Sequence, residues 1–76
     1  MALLRFHWEF FGPDAGPTAV HFLEHLDEFC GKEGISGQRH WVTNLPFRST
    51  ATLECDETHL ALVRNRLRPK RAERVG

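Results

Sequence analysis

The chain has 76 residues and a mass of 8.8 kDa, which is enough for one small domain. Ten basic and ten acidic residues cancel and 41% of the residues are hydrophobic, a globular composition that excludes a generally basic nucleic-acid binder. No apolar run approaches the roughly 20 residues that span a bilayer, and the apolar start is too short for a secretory signal. We therefore expect a cytoplasmic protein with no membrane contact.

The first part of the sequence predicts a strand followed by a helix. Residues 3 to 11 alternate between two faces, which is the period of a half-buried β-strand. A Gly- and Pro-rich segment then supplies Asp14 or Gly16 as a helix N-cap, and Gly31 and Gly34 supply the helix end. The apolar stripe of this predicted helix consists of Ala19, Phe22, Leu23, Leu26, Phe29 and Cys30.

The middle of the sequence predicts a β-hairpin. Its strands cover residues 38 to 43 and 47 to 55, with the turn at Leu45-Pro46. That turn would place Trp41 opposite Thr50 and on the exposed face, with His40 and Val42 facing inward. A slip of one residue would reverse the two faces, because side chains alternate with a period of two.

The second helix completes the predicted fold. Asp56 is its N-cap and Pro69 lies just beyond its end. Its apolar stripe consists of Leu60, Val63 and Leu67. We expect one domain over residues 1–68 and a basic C-terminal tail over residues 69–76. Within that tail, residues 71–75 are a candidate short fourth strand beside the first. Their high charge leaves it undecided whether they form a strand.

The order β-α-β-β-α resembles the ferredoxin-like split β-α-β unit in architecture. The resemblance covers the whole chain and concerns the order of elements, not a sequence motif. It implies an α+β fold with an antiparallel sheet of order 1-3-2 and both helices on one face.

The sheet face away from the helices is the candidate interface. Without a fourth strand, the aromatic first strand is an exposed edge, which natural proteins usually cover. Pairing of two copies would cover it and would also support the small core of so short a chain, so we expect a homodimer. The residues that we expect to contact a second copy, another protein or a small-molecule ligand are Arg5, His7, Glu9, Phe11, Trp41 and Arg48.

These observations predict a small binding or regulatory module that self-associates through its sheet. No nucleophile with a paired base can be read from the spacing of the residues, so we expect no catalysis of its own. A histidine base on the open sheet face, His7, is the feature that leaves enzymatic activity undecided. The sequence does not identify the ligand or the partner.

Cys30, Cys55 and His59 provide an alternative function. The predicted topology brings them to one end of the sheet, where they would bind zinc or act in thiol-redox chemistry. No CxxC spacing fixes a set of four ligands, and buried cysteines ordinarily act as small hydrophobic residues, so we expect no cofactor. His21 and His25 have the spacing of a chelating pair on a helix but are expected to face solvent.

A second alternative is weak nucleic-acid binding through the Arg-rich C-terminal segment. Its candidate residues are Arg64, Arg66, Arg68, Lys70 and Arg71. Cations at the end of a helix are ordinarily a solvated terminus, since they complement the helix dipole there. Glu9 and Glu54 on the open sheet face would repel a phosphate chain, so nucleic acid is not the expected partner.

Overall fold

The apolar patterns of the sequence produce a four-stranded sheet and two helices. The structure is a computed structural model and describes residues 2–75. The strands within that range are β1 (Leu3–Phe11), β2 (Arg39–Leu45), β3 (Arg48–Asp56) and β4 (Arg71–Val75). The helices are α1 (Ala15–Glu33) and α2 (Leu60–Leu67), and a 3-10 turn over Glu57–His59 precedes α2. The sheet is antiparallel throughout, with the order β2-β3-β1-β4.

One buried cluster joins both helices to the same face of the sheet. Phe6 of β1 and Leu53 of β3 are fully buried, and Leu26 of α1 and Val63 of α2 pack in the same cluster. The remaining members are Leu4, Trp8, Cys30, Ile35, Ala51 and Cys55. Side chains alternate along a strand, so the odd-numbered residues of β1 lie on the opposite face. That opposite face, which we call the open face, is covered by neither helix.

β1 is a central strand, because the candidate fourth strand forms beside it, so the exposed edge that was expected in the absence of that strand does not arise. It pairs with β3 on one side and with β4 on the other, where Leu3 lies opposite Val75 and His7 opposite Arg71. Residues 71–75 of the predicted tail therefore form the fourth strand. A short, charged segment is suited to an edge position, because charge at an edge discourages pairing with other chains.

The β2–β3 hairpin has a different register from the predicted one. Trp41 lies opposite Thr52 rather than Thr50, because the turn is centred on Pro46 and Phe47, one residue later than expected. Moving the turn by one residue shifts the pairing by two, which leaves each side chain on its original face. Trp41 is accordingly on the open face, as predicted.

α1 begins after Asp14, one of the two predicted N-caps, and ends at Gly34, one of the two glycines predicted to end it. It begins at Ala15, where the Asp14 side chain makes no capping hydrogen bond, and it continues through Gly31. Gly34 ends it in the left-handed conformation, with φ at 72°. The Ile35 amide then donates to the Cys30 carbonyl at 2.8 Å, and the buried Ile35 side chain anchors the chain after the helix.

α2 begins later than predicted. The Asp56 side chain accepts a hydrogen bond from the Thr58 amide at 2.9 Å, but it caps the 3-10 turn rather than α2 itself. Leu60 is exposed, so the buried side of α2 consists of Val63 with the partly buried Leu62 and Leu67. Neither helix in residues 2–75 is long and apolar enough to cross a membrane.

Candidate functional site

The open face carries all six residues predicted to form an interface. They are Arg5, His7, Glu9 and Phe11 on β1, Trp41 on β2 and Arg48 on β3. The open face also carries side chains that the sequence did not assign to the interface, among them Thr52, Arg71 and Glu73; Arg71 was a candidate for nucleic-acid binding only. The alternation of side chains along residues 71 to 75 could have placed Arg71 and Glu73 on this face, but the high charge of the segment obscured it.

A hydrogen-bonded chain crosses the centre of the open face. The His7 ring bridges Thr52 Oγ1 at 2.9 Å and Glu73 Oε1 at 2.8 Å. A carboxylate only accepts, so His7 Nε2 donates to Glu73, and Nδ1 shares its hydrogen bond with the Thr52 hydroxyl. The hydrogen bond from His7 lowers the pKa of the Glu73 carboxyl below its usual value. Because both ring nitrogens of His7 are hydrogen-bonded, the ring is held in one orientation, and the histidine tolerates 7% exposure there.

The Glu54 carboxylate is buried between two arginines. Arg5 Nε donates to Glu54 Oε2 at 2.8 Å, and Arg39 Nη1 lies 4.0 Å from Glu54 Oε1. The Arg5 guanidinium also lies 5.3 Å from the centre of the Trp41 ring, a cation–π distance. Trp41 and Glu54 together fix the position of Arg5.

Glu9 forms a second charge cluster near the other end of β1. Its Oε1 accepts from Arg48 Nη1 at 3.0 Å, and its Oε2 lies 3.8 Å from Lys70 Nζ. Lys70 also lies 5.8 Å from the centre of the Phe11 ring. Each of the three carboxylates on the open face, including Glu54 and Glu73, thus has a basic partner, so their repulsion of an anion is smaller than the sequence suggested.

A cavity of about 250 Å³ lies on the open face, and we call it the open-face cavity. Its lining includes Arg5, His7, Trp41, Arg48, Thr52 and Arg71. Arg71 forms no ion pair with any residue from 2 to 75, whereas Arg5 and Arg48 do. The cavity is therefore bounded by cationic and hydroxyl groups, with Trp41 as an aromatic wall.

One end of the open face is apolar and exposed. Phe47, in the hairpin turn, is 89% exposed and Phe11 is 62% exposed. Together with Leu45 and Pro46 they line a groove of about 400 Å³, which we call the apolar end. Of these residues only Phe11 was selected from the sequence, because Phe47 was placed inside a strand and not in the turn.

The two cysteines are free thiols buried in the core cluster. Burial is the main cause that raises the pKa of Cys55 to about 11, and burial and Asp27 raise the pKa of Cys30. His59 is half-buried in the 3-10 turn. Within residues 2–75 no group of three or more His, Cys, Asp or Glu side chains is placed to hold a metal ion. The zinc and thiol-redox alternatives therefore depend on the sequence alone.

The remaining basic and histidine candidates lie on the helices and are solvent-exposed. His21 and His25 approach to 3.2 Å between their Nε2 atoms on the exposed side of α1. Arg66 lies 6.0 Å from the centre of the Phe29 ring, so its stem covers part of the core. Arg64 and Arg68 are exposed near the end of α2, and neither lines the open-face cavity.

No protein-family model, no curated protein and no solved structure matches this chain. Its class must therefore be inferred from the open face itself. That face combines paired charges, a cationic cavity and an exposed apolar end.

Proposed function

We propose that this chain is a ferredoxin-like binding or regulatory module, without catalysis of its own, that forms a homodimer through the open face of its sheet. The element order β1-α1-β2-β3-α2-β4 and the sheet order β2-β3-β1-β4 support the ferredoxin-like assignment. The observation that carries the functional proposal is the apolar end, where Phe11, Leu45 and Phe47 are exposed beside one another. Contiguous exposed apolar side chains mark interaction surfaces.

Pairing through the face, rather than through a strand edge, is the mode that the structure favours. β1 already has a partner on each side, so its backbone is not open to another chain. The edge strand β4 is short and charged, which opposes pairing at that edge, and β2 forms the other edge of the sheet. The three carboxylates of the open face are partnered within one chain, so covering them requires less desolvation of unpaired groups.

A second copy is the partner that best fits this surface. The core of one chain is small, and a two-fold pair of open faces would bury the apolar end of both copies. The proposal places the module in the cytoplasm, which the two free, buried thiols support, because thiols persist in a reducing compartment.

Light scattering coupled to size-exclusion chromatography tests self-association. The wild-type chain is expected to elute with twice its mass of 8.8 kDa. The double variant Phe11→Glu, Phe47→Glu is expected to elute as a monomer, because it places charge in the apolar end. Val20→Glu is the matched control, since Val20 is exposed on α1 and lies outside the open face. A wild-type chain that stays monomeric at about 1 mM, where even weak association is detected, contradicts the proposal.

A further inference from the structure

The open-face cavity contains more hydrogen-bond donors than its neighbouring carboxylates use. A guanidinium has five N–H donors and no acceptor. Arg5 donates to Glu54 through Nε, and Arg48 donates to Glu9 through Nη1. Arg71, on the third side of the cavity, has no ion pair within residues 2–75. Donors on three arginines therefore line one small space.

The charge balance around this space is positive. The basic side chains of the open face are Arg5, Arg39, Arg48, Lys70 and Arg71, against the carboxylates Glu9, Glu54 and Glu73. All three carboxylates already have basic or imidazole partners. The excess positive charge attracts an anion.

From these observations we infer that the open-face cavity binds the oxyanion group of a small molecule, either a carboxylate or a phosphate. The inference rests on the proposed role of the open face as a binding surface, and it names the chemistry of the ligand. Planar guanidinium groups match both oxyanions through paired hydrogen bonds, and Thr50 and Thr52 add hydroxyl groups to the lining.

The dimensions and position of the cavity favour a small molecule over a nucleic-acid strand. Its volume of about 250 Å³ is below the roughly 300–1,000 Å³ typical of pockets for drug-sized ligands. A single strand of nucleic acid would need aromatic side chains along the central strands for base stacking. The residues at the centre of the open face are instead His7, Thr50 and Thr52.

The site also bears on self-association. Two open faces brought together would oppose one another with an excess of positive charge on each. An oxyanion held in each cavity would reduce that repulsion. The ligand is therefore expected to strengthen the dimer as well as to bind the single chain.

The test is a titration of the isotope-labelled 76-residue chain at constant ionic strength, monitored by the amide shifts in NMR spectra. Inorganic phosphate and benzoate are the two probes, and their relative affinities distinguish the two oxyanions. Saturable shifts confined to residues around the cavity are the expected result. Arg71→Gln is expected to weaken binding by about tenfold, the loss of a charge-assisted hydrogen bond. Arg71 is exposed on the edge strand and unpaired within residues 2–75, so the spectrum of this variant is expected to remain that of the folded chain.

Arg66→Gln is the matched control, because it removes the same charge from α2, outside the cavity. An equal loss of affinity in Arg66→Gln would show that the anions respond to net charge, and it would overturn the inference. Shifts that do not saturate would also overturn it. So would displacement of phosphate by a short single-stranded oligonucleotide that binds through the arginines of α2. If the chain is a dimer but binds neither probe, the oxyanion inference is overturned and the proposed self-association is not. A monomer with saturable binding overturns the self-association and leaves the oxyanion site in place.

Discussion

At the scale of single residues, burial determines the chemistry of the two thiols. Cys30 and Cys55 lie in the apolar cluster beneath the helices, where a thiolate would lose its hydration. Burial, the neighbouring Cys30 and Asp56 raise the pKa of Cys55 from 9.0 to about 11. Both cysteines pack in the core cluster as small hydrophobic side chains, and the protonated thiol is a poor nucleophile.

The raised pKa of Cys55 predicts a loss of stability in alkali. Between pH 9 and 11 the folded chain keeps a thiol proton that the unfolded chain releases, so the free energy of unfolding falls as pH rises. The expected loss across this window is about 2–3 kcal/mol. Urea denaturation at a series of pH values measures it, and the chain has no tyrosine to titrate in the same range. Cys55→Ala is expected to reduce the slope to the part contributed by Cys30, whose pKa burial also raises, and an unchanged slope in that variant would contradict the assignment.

Charged residues show the same dependence on their neighbours. Glu54 is buried because Arg5 and Arg39 reach it from two strands, and His7 is buried because Thr52 and Glu73 satisfy both ring nitrogens. A polar group inside a folded chain requires such partners. The open face is thus ordered by pairing rather than by apolar packing.

At the scale of secondary-structure elements, the helix ends show how local sequence and tertiary packing share control. Gly34 ends α1 at a positive φ that glycine adopts without strain. α2 ends in the same left-handed conformation, but the residue there is Arg68, with φ at 49°. Arg68 adopts this left-handed conformation because the chain turns there to pair β4 with β1. The Lys70 amide donates to the His7 carbonyl at 2.8 Å, and Trp8 Nε1 donates to the Leu67 carbonyl at 2.9 Å.

The strained end of α2 predicts a stabilising substitution. Arg68→Gly is expected to raise the free energy of unfolding by about 0.5–1 kcal/mol, because glycine removes the Cβ conflict of the left-handed conformation. Arg66→Gly is the control on the same helix. It is expected to lower the free energy of unfolding by about 1 kcal/mol, since that residue is helical and exposed. Chemical denaturation compares the two, and a destabilised Arg68→Gly chain would contradict the prediction.

At the scale of the whole molecule, β4 decides which surfaces remain available for association. With β4 in place, β1 is internal and the two helices close one face, so the open face is the broad surface left uncovered in residues 2–75. The apolar end and the cationic cavity both lie on it. A dimer through this face would leave the short, charged β4 as an edge that discourages further growth.

Removal of residues 71–76 tests this role of β4. The truncated chain loses the backbone hydrogen bonds between β1 and β4, each contributing about 0.5–1.5 kcal/mol, and it loses the Glu73 partner of His7. We expect a lower melting temperature and aggregation beyond the dimer, because the aromatic β1 becomes an edge. The double variant Arg71→Gln, Arg74→Gln is the control, since it removes charge but retains the strand. A truncated chain that is as stable and as monodisperse as the control would show that β4 has no protective role.

Local patterns in the sequence are sufficient to predict most of the elements and the faces of their residues. The alternation in residues 3 to 11 places Phe6 in the core and His7 on the open face, because side-chain direction in a strand has a fixed period of two. Trp41 lies on its predicted face although its partner is wrong, because the register error was an even number of residues. The roles of the predicted interface residues stay predictions.

The sequence by itself therefore determined the alternating faces of β1, the apolar stripe of α1 and the position of the open face. Tertiary structure alone decided that residues 71–75 pair with β1 and that Glu73 meets His7, 66 residues away. The physical reason is that side-chain alternation is a local property of the backbone. Strand pairing depends instead on backbone hydrogen bonds and charge partners that come together only when distant segments meet. A segment such as residues 71–75, with four polar or small side chains, carries too little apolar signal to decide whether it forms a strand, so its pairing with β1 was only a candidate.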